Sequence, residues 1–250
     1  RPPRSTPKPS SAASDVYKRQ PLIGINPYHI ERNGSFWNAT KEDYYLTVWN
    51  SGGCPVTLNH PNKQEQITGA VEHLHGLLMV GGPDIPAEIY GSTKPELIDE
   101  DQMSKERESF DREVFLETLK QGKKVLAVCA GLQHINVVFG GTLIEDIPTL
   151  VPDAVDHGTF NGEHSVHGVK IKKESNLFNI LGSEKISVAS THHQCVGKLG
   201  DKIIPVAHSL DGVVEAVEIE NQKNFIGVQW HPELIKHSEE TKKLFSWLLS

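Results

Sequence analysis

The chain has 250 residues, 37% of them hydrophobic and 23% charged, a size and balance that suit one large α/β domain or a compact pair with a sizeable core. No apolar run reaches membrane-spanning length, which excludes a transmembrane helix. The net charge of −7 is uneven: five basic residues (Arg1, Arg4, Lys8, Lys18, Arg19) against Asp15 give residues 1–20 a charge of +4 and leave the rest at −11, and an acidic body argues against nucleic acid as the main partner.

Residues 1–20 are rich in Pro and Ser and lack the apolar core of a signal peptide. They are expected to be a disordered extension or an artefact of assembly, with 21–250 as a single folded domain. Three cysteines, Cys54, Cys129 and Cys195, fall at spacings that give neither a disulfide framework nor a CxxC metal pair. A reducing, cytoplasmic setting is expected.

The first strand is expected at Pro21–Ile25. Thr40, followed by Asp43, can cap a helix through Tyr44, Tyr45, Val48 and Trp49, which Gly52-Gly53 end. Pro55–Leu58 is a second strand, and a short helix around Glu65–His73 leads to a third at His75–Val80. That strand runs straight into Gly81-Gly82-Pro83-Asp84. The loop onward to about Met103 is too long for a mere connector. Ser104 can cap a long helix to Gln121, with Phe110, Val114, Phe115 and Leu119 as its inner face. Gly122 closes it before the strand Lys124–Val128.

Strands alternating with helices predict a mostly parallel central sheet flanked by helices, with ligands bound beyond the carboxyl ends of the strands. After Cys129 a helix runs to about Phe139, and Thr142–Glu145 follows the Gly140-Gly141 turn. Residues 148–168 are polar and His-rich and are expected to be irregular. The C-terminal third then changes to short β-type runs at 167–172, 186–189, 202–208, 213–219 and 225–229, additional antiparallel strands by their turn signals, before a helix at 239–249.

Cys129 stands out among these residues. It ends an apolar strand with small neighbours, Ala127 before it and Ala130-Gly131 after it. A tight strand-to-helix turn pushes such a side chain out of the sheet and sets it at a helix N-terminus, where thiolate is favoured. A cysteine ending a hydrophobic strand is often plain core, so partners decide. Gly227-Val-Gln-Trp-His231-Pro-Glu233 supplies them: His231 as base, and Glu233, two residues on in extended chain, as the group that orients it. Attack on an amide also needs oxyanion donors, expected from the backbone N–H groups of Ala130 and Gly82.

Several segments together resemble class I glutamine amidotransferase domains, and more closely the gamma-glutamyl-gamma-aminobutyrate hydrolase family, peptidase C26. They are Gly81-Gly82-Pro83-Asp84-Ile85 with Tyr90-Gly91, Val128–Gln133 running on to Ile135-Asn136-Val137, Gly140–Leu143, Ser190–Gln194, Asp211–Ala216 and Gly227–Glu233. The resemblance spans roughly residues 21–250. It implies a flavodoxin-like three-layer fold and hydrolysis of a γ-glutamyl amide through a thioester, with Cys129, His231 and Glu233 as triad. It also implies that Gln133, Ser190, His192 and His193 help hold the glutamyl head group, and that the pathway is putrescine degradation. His167 sits where the family often has a histidine, with its role open. The family usually has Arg after the cysteine and an Arg-Asp pair opening the preceding helix; this chain has Ala130 and Arg107-Glu108. Cys195, after Gln194, is expected to be packing.

The histidines His157, His164, His167, His192 and His193 are expected to line a polar cleft for an anionic substrate. With no His-x-x-x-His helix or cysteine partner, no metal is expected, and no cofactor. The expected partner is a small γ-glutamyl compound, not nucleic acid or membrane, and a homo-oligomer stays open. Its amine half is expected against the 83–103 and 148–166 loops. Three alternatives stand beside the hydrolase: a glutaminase subunit feeding ammonia to a synthase, a folate poly-γ-glutamyl hydrolase, and a redox-sensing or binding protein on the same fold.

Overall fold

A computed structural model describes residues 20–61, 63–158 and 164–250. The expected extension at 1–20 therefore lies, but for Gln20, outside the described residues. In chain order the first half runs β1 (Leu22–Ile25), β2 (Tyr28–Arg32), β3 (Ser35–Ala39), α1 (Glu42–Asn50), β4 (Cys54–Thr57), α2 (Gln64–Glu72), β5 (Gly76–Met79), α3 (Ala87–Tyr90), α4 (Lys105–Lys120), β6 (Lys124–Val128) and α5 (Ala130–Val138). The second half runs β7 (Leu143–Ile144), α6 (Ile147–Leu150), β8 (Ser165–Ile171), α7 (Asn176–Leu181), β9 (Lys185–Ser190), β10 (Cys195–Val196), β11 (Ile203–Ser209), β12 (Val214–Ile219), β13 (Gln222–Val228) and α8 (Glu239–Leu249).

Nine strands form one sheet in the order β4-β1-β5-β6-β13-β12-β11-β8-β9. From β4 to β13 the pairings are parallel; from β13 outward they are antiparallel. The expected α/β architecture, parallel at its centre with antiparallel strands from the C-terminal third, is present. Alternation along the central strands builds two cores. Leu78, Leu126, Val128, Ile226 and Val228 face α1, α7 and α8, whereas Leu77, Met79, Val125, Ala127 and Phe225 face α2, α4 and α5. Strands buried on both faces explain the near-continuous apolar runs in the sequence.

Local details differ from expectation. Tyr28–Ala39 is a β-hairpin, turned by Asn33 (φ 54°) and Gly34 (φ 73°). Two successive positive φ values define the tight turn that Asn-Gly favours. Thr40 does not cap α1: the N-cap is Lys41, and the Thr40 hydroxyl instead pairs with that of Thr57 at 2.8 Å. Ser104 does cap α4, accepting from the Arg107 N–H. Both ends of the stretch 148–168 are regular where irregular chain is expected, since α6 reaches Leu150 and β8 begins at Ser165. No helix among the described residues is long and apolar enough to cross a membrane.

Candidate active site

β5, β6 and β13 lie side by side, so the segments that leave their carboxyl ends meet. Cys129 leaves β6 with φ 52° and ψ −115°, outside the regions an L-residue ordinarily occupies. A conformation of this kind costs of order 1–3 kcal/mol and persists only where its surroundings hold it. Here the Cys129 N–H donates to Val228 O (2.8 Å), while its carbonyl accepts from Gln133 N–H (3.1 Å) and starts α5. Gly131 completes the elbow. A Cβ there would come within 2.7 Å of the Met79 carbonyl oxygen, so only glycine lets α5 approach β5 this closely.

His231 follows β13 and is fixed by its backbone N–H to Ala189 O at 2.9 Å. Its Nδ1 lies 2.6 Å from Oε1 of the fully buried Glu233. The carboxylate does not reach the ring through extended chain, as the i, i+2 spacing suggested. Pro232 opens a short 3-10 turn, Pro232–Ile235, and that turn swings Glu233 beneath the imidazole. With Nδ1 taken, Nε2 is left for the thiol. A Cβ on Gly81 would lie 3.2 Å from His231 Cε1 and 3.3 Å from Cys129 Cβ, so the ring and the cysteine flank the same bare glycine. Burial acts to lower the His231 pKa, but Glu233 and the adjacent Cys129 outweigh it and push the imidazole up to about 10.

The Gly81-Gly82 loop is held from behind. Arg107, 2% exposed, donates through Nη2 to the carbonyls of Val80 (3.2 Å) and Gly81 (2.9 Å). Its Nε pairs with Asp111 Oδ2 at 3.2 Å, and Asn26 Nδ2 donates to the same oxygen at 2.7 Å. The buried partner of Arg107 is thus Asp111, one turn on. The neighbouring Glu108 instead pairs with Arg112 and lies 3.1 Å from His134 Nε2. Any Cβ on Gly82 would collide with the guanidinium, 2.2 Å from Nη1. Tyr44 completes the frame: its hydroxyl accepts from the Gly81 N–H at 3.1 Å and lies 3.5 Å from His231 Nδ1. Burial holds the Tyr44 phenol well above the ordinary tyrosine range, so it stays neutral.

These groups open on a cavity of about 490 Å³, a size suited to a small molecule. Cys129, Ala130, Gly82, Gln133, His192, His193 and His231 all line it. Glu233 stands behind His231, and Ser190 is fully buried and outside the lining. Gln133 donates to Gln194 O (2.9 Å) and to Gln229 Oε1 (3.2 Å). His193 is clamped between Asp84 (3.0 Å) and Asp146 (3.2 Å), and the hydrogen bond that its ring donates to Asp84 leads in raising its pKa to about 9. Among the described residues, the outer wall takes Ile30 and Ala39 of the hairpin, with Thr40 and Lys41, beside Asp84 and His164 from the 83–103 and 148–166 loops. The signal that could have found this wall is Asn33-Gly34. Cys195 is fully buried, and burial pushes its thiol far up, consistent with packing.

A crystal structure of a candidate GMP synthase component from Thermoplasma acidophilum has the same fold, with TM-score 0.60 over 92% of each chain at 16% identity. An elbow cysteine beside a histidine–carboxylate pair on this fold is the arrangement of a glutamine-amidotransferase-like protein. Residues 21–233 match Peptidase C26, and the chain belongs to that family of amide hydrolases. Among its relatives, protein NtpR of Enterococcus hirae is 31% identical over 231 residues, which cover 88% of this chain and 94% of NtpR. The gamma-glutamyl-gamma-aminobutyrate hydrolase PuuD of Escherichia coli K12 is 27% identical over 228 residues, 85% of each chain.

Proposed function

We propose that this chain hydrolyses γ-glutamyl amides of small amines, γ-glutamyl-γ-aminobutyrate among them, through a γ-glutamyl thioester on Cys129. The observation that carries this reading is the strained cysteine, aimed into the cavity beside a histidine whose far nitrogen is bound to a buried carboxylate. The thiolate sulfur attacks the γ-carbonyl carbon. The carbonyl oxygen takes up negative charge against the N–H groups of Gly82 and Ala130, each worth about 3 kcal/mol in the transition state. As the C–N bond breaks, His231 gives its Nε2 proton to the departing amine. It then takes a proton from water, which attacks the thioester, releases glutamate and restores the thiol.

The cavity volume favours a dipeptide-sized substrate over a folyl-polyglutamate. Lys41 beside Ile30 and Ala39 offers a cation and an apolar wall to an amine half that carries its own carboxylate, as γ-aminobutyrate does. A cytoplasmic setting with a small-molecule substrate, and neither nucleic acid nor membrane, accords with the acidic composition and the free cysteines. The deciding experiment is a panel of γ-glutamyl-γ-aminobutyrate, glutamine and folyl-polyglutamate, assayed with product identification on the isolated chain. The first substrate should have the highest kcat/KM. Preference for glutamine with dependence on an added synthase would select the glutaminase-subunit reading, and no turnover of any of the three would refute hydrolysis.

The pH profile offers a further check. A raised His231 pKa means that the ring keeps its proton far above the ordinary histidine range, so the acid that serves the leaving amine is lost only as pH climbs toward about 10. Single-turnover acylation should therefore show no descending limb between pH 6 and 8. A limb centred near 6.5 would contradict the ion-pair geometry.

A further inference from the structure

Behind the cavity wall, four side chains from distant parts of the chain turn toward one point. His157 comes from the loop before β8, His167 from β8, His192 from just after β9, and Glu215 from β12. Their inward atoms all lie within 4.8 Å of one another. Glu215 is fully buried, and the side chains of His157, His192 and His167 are 2%, 2% and 7% exposed. From Glu215 Oε1 the distances are 3.2 Å to His157 Nδ1, 3.6 Å to His167 Nε2 and 3.9 Å to His192 Nε2. Oε1 and His157 Nδ1 are within ion-pair distance, but none of these atoms makes a hydrogen bond of acceptable geometry, and the second Glu215 oxygen has no hydrogen-bond partner. Buried polar atoms left this way are costly and call for an explanation.

The outward nitrogens supply one. His192 Nδ1 lies 2.9 Å from the Gln194 carbonyl oxygen, which can only accept, so the proton sits on Nδ1. In the neutral ring Nε2 is then a lone pair, and it faces a carboxylate. His157 presents Nε2 to Asp211 Oδ2 at 3.0 Å, which leaves Nδ1 for the centre. Asp211 is itself anchored by the N–H groups of Val155 (2.9 Å) and Val213 (3.2 Å). A histidine whose far nitrogen is bound to a carboxylate or a backbone carbonyl is the habitual state of a metal ligand, because that bond sets tautomer and ring orientation. Ligands held about 2.0–2.1 Å from a tetrahedral ion stand roughly 3.3 Å apart, within the range found around Glu215. Gly158, at φ 84°, lets the His157 loop close in: a Cβ there would lie 2.3 Å from Ser190 O.

We propose that His157, His167, His192 and Glu215 form a binding site for one divalent transition-metal ion such as zinc. The spacing of these residues in the sequence pointed to no metal; their placement in the fold is what suggests one. Three imidazoles and a carboxylate suit zinc or its borderline neighbours rather than calcium or magnesium. Four protein donors fill the coordination shell, so the ion's role is structural. It ties the 157 loop, β8 and β12 to the His192-His193 segment that lines the cavity, and it is separate from Cys129.

The test uses the full chain, stripped with a chelator and titrated with zinc chloride by calorimetry. One equivalent should bind, and the zinc X-ray absorption spectrum of the complex should show imidazole nitrogen and no sulfur. Glu215→Gln and His167→Gln should each weaken binding at least about ten-fold, while Cys129→Ala should bind as wild type does. Folded wild-type protein that takes up no zinc, a sulfur shell in the spectrum, or binding abolished by Cys129→Ala would each overturn the site.

Discussion

Cys129→Ala should abolish γ-glutamyl amide hydrolysis while leaving the circular dichroism spectrum of the folded protein in place. A nucleophile, its base and the orienting acid act as a unit, so losing the first is expected to cost about five to six orders of magnitude in turnover. His231→Ala should cost nearly as much, because the thiol then has no base and the leaving amine no acid. Glu233→Gln should be milder, by roughly four orders, since it leaves the ring in position but removes the charge that sustains the imidazolium. The three losses should not add: the triple variant should be about as slow as Cys129→Ala alone. Near-wild-type turnover by Cys129→Ala would remove the basis of the proposed mechanism.

The largest expected effect on stability belongs to a residue outside the proposed triad. Arg107→Met should destabilise the fold by about 3–5 kcal/mol, the range for breaking a buried ion pair from one side. Asp111 is 2% exposed, and burial already raises its pKa against the pull of Arg107. Without the guanidinium it would be a buried carboxylate held only by Asn26, and the carbonyls of Val80 and Gly81 would lose a donor. Denaturant midpoints compared at unchanged slope measure the loss. Adding Asp111→Asn to Arg107→Met should recover part of it, because the orphaned charge goes with its partner. A loss below about 1 kcal/mol would show that the loop is held by other means. The same variant should also lower turnover in whatever fraction stays folded, since the guanidinium packs directly on Gly82.

What was legible in the sequence was local or strongly periodic. The apolar strands at 75–80 and 124–128, the Ser104 cap and the small residues around Cys129 all carry their cause within a few positions. His231 and Glu233 were legible as a pair because the carboxylate is two residues away, although a 3-10 turn after Pro232 makes the contact. Long-range pairing was less visible. Glu108 and Asp111 are both acidic and near Arg107; only the helical turn between them decides which one Arg107 meets inside. The histidine–glutamate cluster joins residues up to 58 positions apart, drawn from two strands and two loops. Its members obey no helical or CxxC spacing, because sheet order and the approach of Gly158 to Ser190 bring them together. The hairpin at 28–39 is a different case: Asn33-Gly34 is a strong turn signal, and its importance to the cavity comes from where β2 and β3 project.

The central claim is that a γ-glutamyl group becomes attached to Cys129, and intact-protein mass spectrometry of enzyme quenched during turnover of γ-glutamyl-γ-aminobutyrate tests it most directly. Wild-type protein should gain the mass of one glutamyl group, lose it as substrate runs out or on treatment with hydroxylamine, and carry it on the peptide that contains Cys129. Turnover with no adduct in either wild type or Glu233→Gln, or an adduct that persists in Cys129→Ala, would contradict the account.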